Sequence, residues 1–145
     1  MKKKLLSKDN GERIFILVLE DGEEAFDAIS RFAATEQIGG ASLSAIGAFS
    51  NAVVGFFDFE TKIYKKIPIL EQCEVLCGIG DIAIGDDGQP SLHLHAVLGL
   101  SDGSTRGGHF MEGVVHPTLE VVVREAAMNM CRRKKSDLGI ALLDP

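Results

Sequence analysis

Apolar residues fall into two kinds of run along this chain. Arg13 to Glu20, RIFILVLE, is almost continuously apolar, the pattern of a strand buried on both faces. Asp21-Gly22 ends it. The period then changes. Phe26, Ile29, Phe32 and Ala33 recur at three- and four-residue steps and make one stripe of a helix. Glu23 and Glu24 open that helix, where acids complement its dipole, and Gly39-Gly40 is the expected stop. The small-residue run Ser42 to Ala48 predicts a strand lying close to another backbone, and Val53 to Phe59 predicts a further one. Tyr64 to Ile69 is short and alternating. Glu71 to Ile84 reads as a long strand bent at Gly78 or Gly80, followed by a turn at Gly85 to Gly88. Near the C-terminus, Thr118 to Val123 is β-branched and predicts a strand. Arg124 to Arg133 predicts a second, short helix, Asp137-Leu138-Gly139 a turn, and Ile140 to Leu143 a last strand. The sum is an α+β fold: a mostly antiparallel or mixed sheet of seven or eight strands with two helices.

All four histidines lie between Ser91 and Pro117. His93 and His95 are two apart, so on a strand both leave the same face while Leu92, Leu94 and Ala96 leave the other. SDGS at Ser101 to Ser104 signals a turn, after which Thr105 to Val115 returns antiparallel with His109. Parity decides whether His109 joins the pair. A two-residue loop would set it opposite Ala96, on the wrong face. A three-residue loop, or one bulge, sets it opposite His95. Gly107-Gly108 offers a place for a bulge or a close backbone approach, and the second register is the one expected. Three neutral imidazoles converging on one point suit a zinc-like divalent ion with an open fourth position. His93, His95 and His109 are therefore the candidate metal ligands, with His116 in reserve. The opposing view of these residues is a set of half-buried strand histidines that only form hydrogen bonds. Glu112 is the nearest candidate acid or base for catalysis, although three residues from His109 it belongs to the other strand face. Arg106 is a candidate for orienting an anionic substrate. Side-chain acceptors for the outer ring nitrogens are few along the hairpin: Ser91, Ser101, Asp102 and Glu112.

Composition narrows the function. The chain has 145 residues, 46% hydrophobic, with no Trp, one Tyr and a mean hydropathy of +0.14. That is the length of one domain. The net charge of −6 repels nucleic acid on average. Arg132 to Lys135 is a cluster of four basic residues and the only DNA-like patch, with a basic helix turn facing its own dipole as the plainer reading. Cys73, Cys77 and Cys131 are odd in number and lack framework spacing, which points to reduced thiols and a cytoplasmic location. Cys73 and Cys77 read as small apolar strand residues. MKKKLLSKDNGER has no apolar stretch of a signal peptide, and no run reaches membrane-spanning length. Gly85 to Gly88 lacks the twelve-position ligand set of a calcium loop, and Gly78-Ile79-Gly80 lacks the helix of a dinucleotide site.

The string HLHAVLG, then DG, then GGHFMEGVVHPTLEVVV resembles the plant-and-prokaryote-conserved (PPC) domain family. The upstream strand, acidic Gly turn, helix and small-residue run ending in AIGA match that family's opening pattern. The resemblance covers roughly Glu12 to Leu143. It implies an α+β domain of acetolactate-decarboxylase-like architecture and a homotrimer. By fold analogy it implies a zinc on three histidines and a small-molecule cleft, which in a trimer would lie near a subunit interface. The alternative it implies is a non-enzymatic, DNA-associated regulator, as the plant members are. Those members recognise DNA through an AT-hook that this chain lacks, so sequence-specific DNA binding is not expected.

Overall fold

The computed structural model describes every residue from Met1 to Pro145. Strands β1 (Lys2–Asp9) and β2 (Glu12–Glu20) lead into helix α1 (Ala25–Glu36). Then come β3 (Gly40–Asp58), β4 (Ile63–Ile69), β5 (Cys73–Ile84), β6 (Pro90–Gly99) and β7 (Thr105–Glu125). The small strands β8 (Arg132–Lys135) and β9 (Ile140–Leu143) close the chain. The first seven strands make one sheet in the order β1-β2-β7-β6-β5-β3-β4, and every strand pair in it is antiparallel. A further β7–β3 pairing joins the sheet to itself, so β3, β5, β6 and β7 form a closed ring. Closure removes two edges that would otherwise expose unpaired backbone groups.

Two long strands do the work of four expected ones. β3 contains Ser42–Ala48 and all of Val53–Phe59 except its last residue, and β7 contains both Thr105–Val115 and Thr118–Val123. Register shifts mark where these strands bend, between Gly47 and Phe49, Phe49 and Asn51, and Val53 and Val54 of β3 against β7. The first half of β3 pairs with β5 and the second with β4, while β7 runs along its other edge throughout. β5 bends between Val75 and Cys77 rather than at Gly78 or Gly80. Cys73 is buried and Cys77 exposed along this strand. β1 was not anticipated. It is exposed along its whole length and pairs only with β2.

The helix forms as its stripe requires. Ala25, Ala28, Ile29, Phe32 and Ala33 are buried, and Phe32 packs edge-on against Phe15 of β2 at 5.2 Å between ring centroids. Glu24 caps the start: its carboxylate accepts from Phe26 N–H at 3.2 Å and Asp27 N–H at 2.7 Å. The same carboxylate accepts Gly113 N–H of β7 at 2.9 Å, which ties the cap to the sheet. Gln37, left-handed at φ 55°, ends the helix, and Gly39-Gly40 serves another purpose. A Cβ on Gly40 would stand 2.8 Å from Met128 O and Met130 N. These glycines let residues 128–130 cross close over the start of β3.

The second expected helix, Arg124 to Arg133, is absent. Arg124 and Glu125 extend β7, pairing with Ile14 and Arg13 on one side and with Ser42 and Ala41 on the other. Glu125 also holds the Arg13 guanidinium, donated through Nη2 at 2.8 Å. Ladder bonds on both edges of the strand outweigh the modest helix propensity of this segment. After the crossing, Cys131 bridges to Ile84, and β8 begins at Arg132. No helix is long and apolar enough to cross a membrane.

Candidate metal centre

The β6–β7 hairpin turns through three residues, Ser101, Asp102 and Gly103. Leu100 N–H donates to Ser104 O at 2.9 Å and Gly103 N–H to Leu100 O at 2.9 Å. Gly103 takes φ +82°, the left-handed position that ends a three-residue loop, and Asp102 accepts Ser104 N–H at 2.8 Å. This loop length sets His95 opposite His109, the register expected from parity. No bulge is needed. Gly107-Gly108 instead serves close approach: a Cβ on Gly108 would lie 2.5 Å from Gly55 O of β3.

The three rings converge. Centroid separations are 5.0 Å for His93–His95, 5.1 Å for His93–His109 and 5.4 Å for His95–His109. One ring nitrogen of each lies within 4.8 Å of the other two. A tetrahedral ion at Zn–N distances of about 2.0–2.1 Å would bring those nitrogens to about 3.4 Å of one another. Small side-chain rotations close that gap. Two further observations fit the residues to a metal. His109 Nδ1 is buried and has no hydrogen-bond partner in the protein. Burial, reinforced by His93, His95 and Arg132, pushes the His109 imidazole down to about 4, and burial with His93 lowers His95. Both are therefore neutral at ordinary pH, the form that donates a lone pair.

The surroundings of the group were only partly foreseen. Asp81 of β5 pairs in register with His93, and its carboxylate lies 3.8 Å from His93 Nδ1, an ion-pair distance. None of Ser91, Ser101, Asp102 or Glu112 takes that place. Burial would raise Asp81, but His93 and Arg132 hold it below the usual carboxylate range. Arg132, on β8, is 6% exposed and pairs with Asp81 through Nη2, while its Nε has no acceptor. Asp81 was missed in the sequence, although the Gly85 to Gly88 turn was a signal that could have found it. Gly85 N–H donates to Gln89 O there, and Gly88 is left-handed at φ +76°. That three-residue loop places position 81 opposite 93. No local signal placed Arg132, which arrives from the C-terminal hairpin.

The other candidates lie elsewhere. Glu112 is exposed and pairs with Lys66 at 3.5 Å. Arg106 is exposed on β7, opposite Leu98, outside the cleft. His116 Nδ1 meets Asp21 at 2.7 Å and does not join the three within the chain. The basic cluster is largely neutralised: Arg132 by Asp81, Arg133 near Asp86 at 3.7 Å, and Lys135 on Asp144 at 2.6 Å.

The histidines line a cleft of about 730 Å³. Gly55, opposite His109, continues its face into β3, and Phe57 and Phe59 follow at two-residue steps. Tyr64 of β4 pairs with Phe57, and its ring stacks on His109 at 4.8 Å, tilted by 30°. Ile140, Ala141 and Leu142 of β9 line the same cleft.

Residues 6–127 match the family described as the Plants and Prokaryotes Conserved (PCC) domain. The chain belongs to that family. A PPC protein from Pyrococcus horikoshii has the same fold at TM-score 0.85 and 31% identity, over 99% of this chain and 95% of its own. A metal-containing protein from Archaeoglobus fulgidus matches at TM-score 0.83 and 32% identity, over 91% and 93%. A candidate DNA-binding protein from Bacteroides thetaiotaomicron matches at 0.86 and 27%, over 98% and 96%. The acetolactate decarboxylase of Bacillus subtilis shares the fold alone, at TM-score 0.60 and 15% identity over 90% of this chain and 60% of its own. Among curated relatives, the bifunctional protein GlmU of Synechococcus sp. (strain JA-3-3Ab) is 30% identical over 116 residues. That is 79% of this chain but 17% of GlmU.

Proposed function

We propose that this PCC-domain protein is a homotrimer that holds one zinc ion per chain on His93, His95 and His109 and binds a small molecule in the adjoining cleft. The observation that carries the reading is the convergence of three imidazoles, two of them held neutral, at the wall of an open cleft. The Archaeoglobus relative, described as metal-containing, supports it. A zinc ion there would supply a Lewis acid to an oxygen entering from the cleft. The chain's own part is to fix the donors: β-pairing sets His95 opposite His109, Asp81 faces the outer nitrogen of His93, and Tyr64 covers the face of His109. Exposed apolar residues such as Ile46, Leu76, Ile79 and Val97 are suited to burial between subunits.

The test is elemental analysis of protein purified without a metal-chelating column. About one zinc per chain is expected, with its loss in His95→Ala and His109→Ala. Protein that carries no metal and takes up none when zinc is offered would refute the reading. Sedimentation with and without a chelator tests the link to assembly. A trimer stabilised by metal should lose thermal stability on its removal. The second reading, a DNA-associated regulator, draws on the Bacteroides relative. The net charge of −6 and the neutralised Arg132–Lys135 cluster weigh against it. Tight, sequence-selective duplex binding at physiological salt would favour it instead.

A further inference from the structure

The cleft has two unlike ends, and together they define a class of ligand. At one end stand the three histidines with Arg132 and Asp81 beside them. Asp81 offsets one positive charge, that of Arg132. A divalent ion on neutral imidazoles would leave the end with two positive charges in excess, so an anionic group is favoured there. The other end is apolar and aromatic. Phe57 meets Phe59 edge-on at 5.1 Å and Tyr64 at 5.0 Å, and Phe59 is 67% exposed. Tyr64 is flanked by glycine: a Cβ on Gly55 would stand 3.0 Å from its Cδ1 and 2.7 Å from Met111 Cε, so the missing side chain leaves room for the ring over His109. Ile140 and Leu142 of the C-terminal hairpin also line the cleft. The hairpin is fastened by Arg133, whose Nη1 donates to Gly85 O at 3.2 Å, and by Arg132 on Asp81. An apolar, aromatic-lined space therefore opens directly beside the three histidines.

We infer that the ligand is a small carboxylate with a flat apolar body, its carboxylate at the three-histidine end and its body between the Phe57–Phe59–Tyr64 wall and the β9 strand. The size agrees: about 730 Å³ lies within the range of roughly 300–1,000 Å³ usual for small-molecule sites. So does the division of labour, in which a few polar groups fix orientation and the apolar wall supplies most of the contact. Both halves of the ligand are needed. A carboxylate without a body would leave the aromatic wall in water, and a ring without a carboxylate would leave the charge excess unmet. The carboxylate half rests on the metal reading proposed above. The aromatic half does not.

The test is calorimetric titration of the full-length protein, after its zinc content has been measured, with three probes. These are 3-phenylpropionate, propionate (no ring) and 3-phenylpropanol (no carboxylate). 3-Phenylpropionate is expected to bind at least about tenfold more tightly than either control. Phe57→Ala should remove most of the advantage over propionate and little of that over the alcohol. Leu142→Ala, in the β9 part of the lining, should do the same, and thermal melts show whether each variant is folded. Removing the metal should abolish the advantage over the alcohol and keep that over propionate. Protein that never holds metal would sink the metal reading, and 3-phenylpropionate should then bind like the alcohol, still better than propionate. Equal binding of 3-phenylpropionate and propionate, or no binding of 3-phenylpropionate up to about 10 mM, overturns the inference whatever the metal content.

Discussion

Replacing Asp81 by Ala would leave the Arg132 guanidinium without its carboxylate in a place where water barely reaches. The Arg132 side chain is 7% exposed and that of Asp81 22%. Removing one member of a fully buried pair costs about 3–5 kcal/mol, most of it the penalty of the stranded charge. Two features here reduce that. Asp81 is partly solvated, and Arg132 keeps a bond from Nη1 to Ala141 O at 3.4 Å. A loss of about 2–3 kcal/mol follows, or a fall of roughly 4–12 °C in Tm for a chain of this size. The double replacement Asp81→Leu with Arg132→Met removes both charges and should return to within about 1 kcal/mol of the parent. The assay is urea unfolding of chelator-treated protein at one fixed concentration, so that neither metal nor assembly contributes differently. A single Asp81→Ala variant within about 0.5 kcal/mol of the parent would show that Arg132 does not depend on this carboxylate, and the account of the hairpin's attachment would be wrong. Asp81→Asn adds a second reading of the same contact. If the carboxylate orients His93, zinc affinity should fall about 10–100-fold with the fold intact.

Two other outcomes test the geometry around the histidines. Gly108→Ala should cost more than about 2 kcal/mol and loosen the metal site, because its Cβ would meet Gly55 O at 2.5 Å and push β7 off β3; a variant no less stable than Gly103→Ala, whose Cβ meets nothing but whose φ is +82°, would refute this. Folding holds His109 near 4 and lowers His95 from the ordinary 6.5, so the unfolded chain binds more protons between those values; the stability of metal-free protein should therefore fall as pH drops from about 6.5 to 4, and His109→Gln should flatten that slope in pH-stepped melts.

Much of the fold was legible because its local signals agree with its pairing. The stripe of Phe26, Ile29, Phe32 and Ala33 could belong only to a helix, and the run Arg13 to Glu20 only to a strand, although it buries one face, with Phe15, Leu17 and Leu19, and leaves Ile14, Ile16 and Val18 half-buried. What could not be read locally was decided by ladders between distant segments. Nothing in Thr118 to Glu125 says that both edges of this strand are occupied, by β2 and by β3, so the helix-favouring residues after Val123 misled. β1 was invisible for the opposite reason. It buries none of its residues, so it leaves no pattern of alternation.

The candidate site shows the same division at finer grain. His93, His95 and His109 were identifiable because two-residue alternation and one hairpin loop determine whether they share a face, and both are short-range features. Asp81 needed a second hairpin to be counted in the same manner, from Gly88 back through Gly85 to position 81. Tyr64 needed three steps: His109 to Gly55 across β7 and β3, Gly55 to Phe57 along β3, and Phe57 to Tyr64 across to β4. Each step carries its own uncertainty of register, and a slip of one residue at any of them would turn Tyr64 to the other face. Arg132 needed the crossing of residues 128–130 over Gly39-Gly40, which no periodicity encodes. Tyr64 and Arg132 therefore lie furthest from the histidines in sequence pattern, although they line the same cleft. That ordering explains why Glu112 and Arg106 offered themselves first. They are near His109 along the chain, but the pleat of β7 turns Arg106 to the other face, and Glu112, beyond the register shift at Val53/Val54, is held in an ion pair with Lys66 instead of joining the histidines.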